Sequence, residues 1–330
     1  MDTTLDVGRR IVQMFWDPEP TNDIIRDQPV WCLGSSYKLN NSPSPKQDLS
    51  PAAEPKDPIP APVPTRLPAT PPDSTSSSLD SSLAYDEAPL DGGWPPAFLD
   101  DFESRIWMTY RSEFETIAKS QDPKALSALS FSMRLKSQLS DQNGFASDSG
   151  WGCMIRSGQS LLANAMLVQR LGRGWRRGTK SEQEKKILSL FADDPRAPYS
   201  IHNFVRHGAS ACGKYPGEWF GPSATARCIQ ALTNENEPAL RVYSTGDGPD
   251  VYEDNFMKIA KPDGAVFHPT VILVGTRLGI DKITPVYWEA LAASLQMPQS
   301  IGIAGYVVFY LVAFLFFLFL FYINIFIHVF

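Results

Sequence analysis

Eleven prolines fall within the thirty residues from Pro43 to Pro72, and Ser74 to Ser82 follows with almost nothing but Ser, Thr and Asp. No other feature constrains the fold as much, because such a stretch cannot bury enough apolar surface to offset the entropy of ordering it. It predicts a disordered insert over 43–97 that separates a short N-terminal part from a larger body. The rest of the 330 residues is long enough to bury a substantial core. Between Asp80 and Glu103 acidic side chains occur without any Lys or Arg. That bias reads as a solvated linker re-entering the fold rather than a ligand for a basic groove.

A formal charge of −6 and a pI near 5.3 argue against nucleic acid as a partner, which needs clustered Lys and Arg to displace counterions. Cys32, Cys153, Cys212 and Cys228 are few for the length and include no CxxC pair, so neither a disulfide scaffold nor a zinc ribbon is expected. The N-terminus carries Asp2 and Asp6 before any basic residue and lacks the apolar run of a secretory leader. A reducing, cytoplasmic setting is the expectation.

Residues 1–28 form an amphipathic segment, with Leu5, Ile11, Val12 and Phe15 on one helical face before the stop signal Asp17-Pro18-Glu19-Pro20. The body opens over 29–42 and continues over 98–305. Ile106, Tyr110, Phe114 and Ile117 predict a helix from Phe102 to Ile117. Met154, Ile155, Leu161, Leu162, Ala165 and Met166 predict a second, from Cys153 to Gly172. Gly221-Pro222-Ser223 opens a third, Pro at a first-turn position costing no hydrogen bond. Thr270–Val274 reads as a strand, Pro285–Leu295 as a helix and Ser300–Gly305 as a small-residue strand. Helices early and strands late indicate an α+β fold.

The last 25 residues, Tyr306 to Phe330, hold no charged residue, Gly or Pro. As a helix rising ~1.5 Å per residue they would span a bilayer core of roughly 30 Å, a transmembrane-like reading. Gly305-Tyr306-Val307 is also what translation through an intron donor after a Gly codon would give, so the same Phe-rich tail reads equally as a retained-intron product.

Chemistry concentrates in Ser149-Gly-Trp-Gly-Cys153-Met-Ile-Arg-Ser-Gly158-Gln159, which puts a cysteine where a glycine-rich turn enters a helix. Free backbone N–H groups and the helix dipole there favour the thiolate. The glycines let a substrate backbone approach, and Trp151 can wall that approach. A lone cysteine is also commonly a buried, inert one, and local chemistry leaves both readings open.

The run Ser147-Asp-Ser-Gly-Trp-Gly-Cys-Met-Ile-Arg-Ser-Gly-Gln-Ser-Leu-Leu-Ala resembles the nucleophile segment of the autophagins, cysteine proteases that process a ubiquitin-like autophagy modifier. Val30-Trp-Cys-Leu-Gly34, Ser104-Arg-Ile-Trp-Met-Thr-Tyr110-Arg111, Ser200-Ile-His-Asn203 and Glu218-Trp-Phe-Gly-Pro222 are similar to further stretches of that family. So are Gly213-Lys214, Arg277-Leu-Gly-Ile280, Tyr287 and Met297-Pro-Gln-Ser-Ile-Gly302, while Val7-Gly-Arg-Arg-Ile-Val-Gln and Trp16-Asp-Pro-Glu-Pro resemble fungal members.

The resemblance implies a papain-like cysteine protease fold in which Cys153 is the nucleophile, attacking after a C-terminal glycine of the modifier. Tyr110 would help stabilise the oxyanion. Trp219 would roof a narrow substrate channel that admits only glycine. No cofactor or metal is implied. The implied partners are the modifier and its phosphatidylethanolamine conjugate, with membrane contact through that lipid or through the 306–330 tail. The implied location is the cytoplasm, with nuclear and phagophore assembly site pools.

In the family the base histidine and orienting aspartate lie in an Asp-Pro-His motif after the strand matching Ser300–Gly305, and this sequence contains no such motif. The protease body is therefore expected to stop short of those strands and to hydrolyse little, since a thiol protease needs a base and a group to orient it. His202 matches a non-catalytic position of the family, His207 and His268 carry no carboxylate at a telling spacing and His328 lies in the apolar tail, so none is assigned as base. The alternative expectation is a membrane-anchored, non-catalytic binder of the modifier.

Overall fold

The computed structural model describes residues 29–38, 93–139, 143–279, 283–305 and 324–329. The predicted N-terminal helix and the proline-rich stretch lie outside them. The described chain opens with an antiparallel hairpin, β1 (Val30–Cys32) and β2 (Ser35–Tyr37), turning at Leu33 and Gly34. Helix α1 (Pro96–Glu103) follows, then β3 (Ser112–Ala118), α2 (Ala125–Ala128), α3 (Phe131–Leu139) and β4 (Gly144–Ser147), with β3 and β4 paired antiparallel across an irregular register. Four helices come next: α4 (Cys153–Leu171), α5 (Ser181–Ser189), α6 (Ile201–Ala211) and α7 (Pro222–Asn236).

The last part alternates β5 (Arg241–Ser244), α8 (Glu253–Ala260), β6 (Thr270–Thr276), a 3₁₀ turn at Pro285–Tyr287, α9 (Trp288–Gln296), β7 (Ser300–Ile303) and β8 (Asn324–Val329). Strands β5 and β6 run parallel, which a direct turn cannot achieve and the intervening α8 makes feasible. Strand β8 lies between β6 and β7, antiparallel to both, giving the order β5-β6-β8-β7.

Thirteen of the nineteen residues of α4 are buried, so this helix is not a surface amphipath but the axis of the body. It packs against α5, α6, α7 and β7. Its Ile155, Leu162 and Met166 share one core with Phe204 of α6, Ile229 of α7, Leu273 of β6 and Ile301 of β7.

The expected helix from Phe102 to Ile117 does not form. Helix α1 ends at Glu103, residues 106–110 have no regular secondary structure, and β3 follows. Ile106 and Met108 are buried while Trp107 and Thr109 are exposed, the two-residue alternation of a strand. Apolar residues every three or four positions fit both periods here, and the aromatic and β-branched content favours the extended form. Strands are also not confined to the second half, since two antiparallel strand pairs precede α4; the mixture of helix and strand agrees with an α+β class. Of the tail, Asn324–Val329 forms β8 and 306–323 lies outside the described residues. Among the described residues no helix is long and apolar enough to cross a membrane.

One buried carboxylate fastens the N-terminal hairpin to the body. Asp101 accepts from the Tyr37 hydroxyl at 2.8 Å, from Arg173 through both oxygens at 2.7 and 2.9 Å, and from Arg105 at 2.8 Å. Burial alone would raise this carboxyl, but donation from Arg173 and Tyr37 and the charge of Arg105 outweigh it and hold it down at about 2. Arg173 also donates to the Cys32 and Leu33 carbonyls, and the Gly34 N–H donates to the Leu295 carbonyl at 2.9 Å. Leu33 is thereby fixed at the edge of the cleft described next.

Candidate active site

Cys153 is the first residue of α4, with Gly152 at the helix cap and no side chain capping the free N–H groups. The turn before it is closed by the Asp148 carbonyl, which accepts from the N–H of Trp151 at 3.1 Å and of Gly152 at 2.8 Å. Gly152 is required for a steric reason: a Cβ there would lie 2.5 Å from the Asp148 side chain.

Cys153 opens on a cleft of about 530 Å³ between the 106–110 segment, the face of α4 that carries Arg156 to Asn164, and β7. Tyr110, 46% exposed, lines the same cleft, so the structure brings the two expected residues together. Polar side chains of α4 set that arrangement. Asn164 bonds both the N–H and the carbonyl of Ile106, at 3.0 and 2.9 Å, and Ser160 accepts from the Met108 N–H at 2.9 Å.

An extended chain advances about 6.7 Å in two residues and a helix about 6 Å in four. The two ladders therefore stay in step along 106–110, and Tyr110 arrives beside the first turn of α4. Sequence reasoning missed Ser160 and Asn164. Their signal was present as Arg156, Ser160 and Asn164, polar residues at every fourth position and so on one face of the helix.

Trp151, expected to wall the approach to the thiol, is instead fully buried. Its indole N–H donates to the Ser147 carbonyl at 2.9 Å and its ring packs on Phe145 at 6.0 Å, so the turn closes over it. It supports the turn from below and does not line the cleft. Trp219 is 37% exposed, on the loop between α6 and α7, and is not among the residues lining the Cys153 cleft. That loop is braced by Glu218, which pairs with Lys214 at 2.5 Å and accepts from the Tyr215 N–H at 3.0 Å. Gly217, at φ +80°, lies flat against the Phe145 ring, where any side chain would collide.

Among the described residues no histidine lines the cleft. His202 shares a 2.7 Å hydrogen bond with the Glu115 carbonyl and meets the Phe114 ring edge-on, the surroundings of a packing residue. His328 sits in β8, at the register position between Ile272 and Ser300. Among the described residues no group of side chains is arranged to hold a metal ion.

Two of the thiols are buried. Burial pushes Cys32 up to about 11, with the Asp101 charge adding to it. Burial, then the neighbouring Cys212, raises Cys228 as well.

A match to the peptidase C54 catalytic domain covers residues 95–306. A probable cysteine protease atg4 of Sclerotinia sclerotiorum is 68% identical over 310 residues, covering 92% of this chain and 71% of its own. A probable cysteine protease ATG4 of Cryphonectria parasitica is 68% identical over 90% of this chain and 66% of its own. The cysteine protease ATG4 of Gibberella zeae is 67% identical over 90% of this chain, which spans 67% of that relative. A domain match that takes in both Tyr110 and Cys153, with identity of this order across nine tenths of the sequence, places the chain in the peptidase C54 family, the Atg4 cysteine proteases of fungal type.

Proposed function

We propose that this protein cleaves a ubiquitin-like autophagy modifier after its C-terminal glycine, and that the same reaction frees the modifier from phosphatidylethanolamine. The observation that carries the reading is the common cleft of Cys153 and Tyr110 at the start of α4. The Cys153 sulfur attacks the glycine carbonyl carbon, and the Tyr110 hydroxyl donates to the oxygen that becomes negative. Collapse breaks the C–N bond, the amine of the extension or of the lipid leaves with a proton, and water then hydrolyses the thioester.

Within these 330 residues there is no Asp-Pro-His motif and no described histidine lines the cleft, so in this chain taken alone proton removal from sulfur and delivery to the leaving amine fall to solvent. Hydrolysis is accordingly slow, since loss of triad partners costs on the order of several powers of ten. The protein works in the cytoplasm, with nuclear and phagophore assembly site pools, and meets membranes through the substrate's lipid. The same lack of a base supports a second reading, a protein that holds the modifier without cutting it.

Incubating the purified chain with a modifier extended past its glycine distinguishes these. Slow cleavage that disappears in Cys153→Ser supports the protease, and binding with no cleavage supports the holder. Cleavage undiminished in Cys153→Ser overturns the assignment of the nucleophile.

A further inference from the structure

One carboxylate that the chemistry does not consume joins the segment bearing Tyr110 to the turn delivering Cys153. Asp148 is fully buried between them. Its Oδ1 accepts from the Arg111 backbone N–H at 2.7 Å, and its own N–H donates to the Arg111 carbonyl at 3.2 Å, which fixes the residue next to Tyr110 from both sides. Its Oδ2 accepts from Arg156 Nε at 2.6 Å, one turn beyond Cys153, and its carbonyl closes the turn at Gly152. Arg156 is buried too, and its Nη1 reaches Asp193 at 2.7 Å, which in turn holds the Arg111 guanidinium at 3.0 Å.

We propose that Asp148 is the positioning residue that holds Tyr110 in line with Cys153, an inference that rests on Cys153 being the nucleophile. A buried carboxylate bonded on both oxygens resists displacement, because moving it leaves Arg156 short of a partner and the Arg111 N–H unpaired. Asp193 pairs with the same guanidinium but makes no backbone bond to the Tyr110 segment. It braces the network without setting the alignment.

The test compares two probes at Cys153 on the full chain, read by peptide mapping. Iodoacetamide reports access to the sulfur. An acetyl-Gly-Gly chloromethyl ketone also reports alignment: sulfur adds to its carbonyl carbon, forming an oxyanion beside Tyr110; the S–CH₂ bond then forms as chloride leaves, and the S–C bond to the carbonyl carbon breaks as the C=O re-forms. The thiol proton goes to solvent. Asp148→Asn is expected to slow the chloromethyl ketone by about tenfold or more, because small misplacements of reacting groups are costly, and to leave iodoacetamide within about threefold.

Asp193→Asn is expected to leave both rates within about threefold despite a loss of stability of the kind that broken buried ion pairs bring. Equal slowing of both probes by Asp148→Asn, or no slowing, overturns the proposal. If Asp148→Asn does not fold, Asp193→Asn decides alone, and a selective tenfold loss there also overturns it. If Cys153 of the unsubstituted chain reacts with the chloromethyl ketone no faster than Cys212, the assignment of the nucleophile fails instead.

Discussion

Four thiols occupy two kinds of environment, and burial rather than neighbouring sequence separates them. Cys32 and Cys228 are buried with raised pKa values, whereas Cys153 and Cys212 are half-buried. Iodoacetamide at about pH 8 should therefore modify Cys153 and Cys212 and spare Cys32 and Cys228, as peptide mapping would register, because the thiolate is the reactive form. Tyr110 tests the oxyanion role. Tyr110→Phe should lower the cleavage rate by about 10- to 100-fold with little change in melting temperature, since the residue is exposed and packing is barely altered. Cys153 was legible because Gly-Trp-Gly-Cys before an apolar stripe fixes a helix start. The burial of Trp151 was not, because it depends on Phe145 and the Ser147 carbonyl, contacts no local pattern records.

At the level of elements, α4 was readable almost to the residue and the segment before β3 was misread. The difference lies in where their bonds come from. Helix α4 satisfies itself, whereas residues 106–110 borrow Asn164 and Ser160 from α4 as a substitute strand partner. Asn164→Ala leaves the Ile106 N–H and carbonyl without that partner and should cost about 1–3 kcal/mol in urea unfolding, together with a loss of cleavage rate as Tyr110 drifts. A cost below about 0.5 kcal/mol would mean the segment is held by packing of Ile106 and Met108 instead.

Across the whole molecule, the hairpin and the last strands are stitched to the body at a distance, the part least visible from sequence. The Asp101 cluster joins β2, α1 and the end of α4, and β8 separates β6 from β7 in the sheet. Asp101 is held at about 2, below the ordinary carboxylate value of roughly 4. A depressed carboxyl contributes stability that is present above its unfolded value and is lost as pH falls through its folded one. Melting temperature should accordingly drop between about pH 4 and pH 2, and Asp101→Asn should be less stable at neutral pH with this part of the acid slope removed.

These contacts bring Leu33, β7 and the first turn of α4 around one thiol, and the reactivity of that thiol toward a glycine-terminated modifier is the claim on which the rest depends. Its most direct test is intact-mass and peptide-mapping analysis of the full chain after incubation with a modifier whose terminal glycine carries a thiol-reactive vinyl ester. The account predicts a single adduct on Cys153, absent in Cys153→Ser. No adduct, or one on Cys212 with Cys153 untouched, would contradict it.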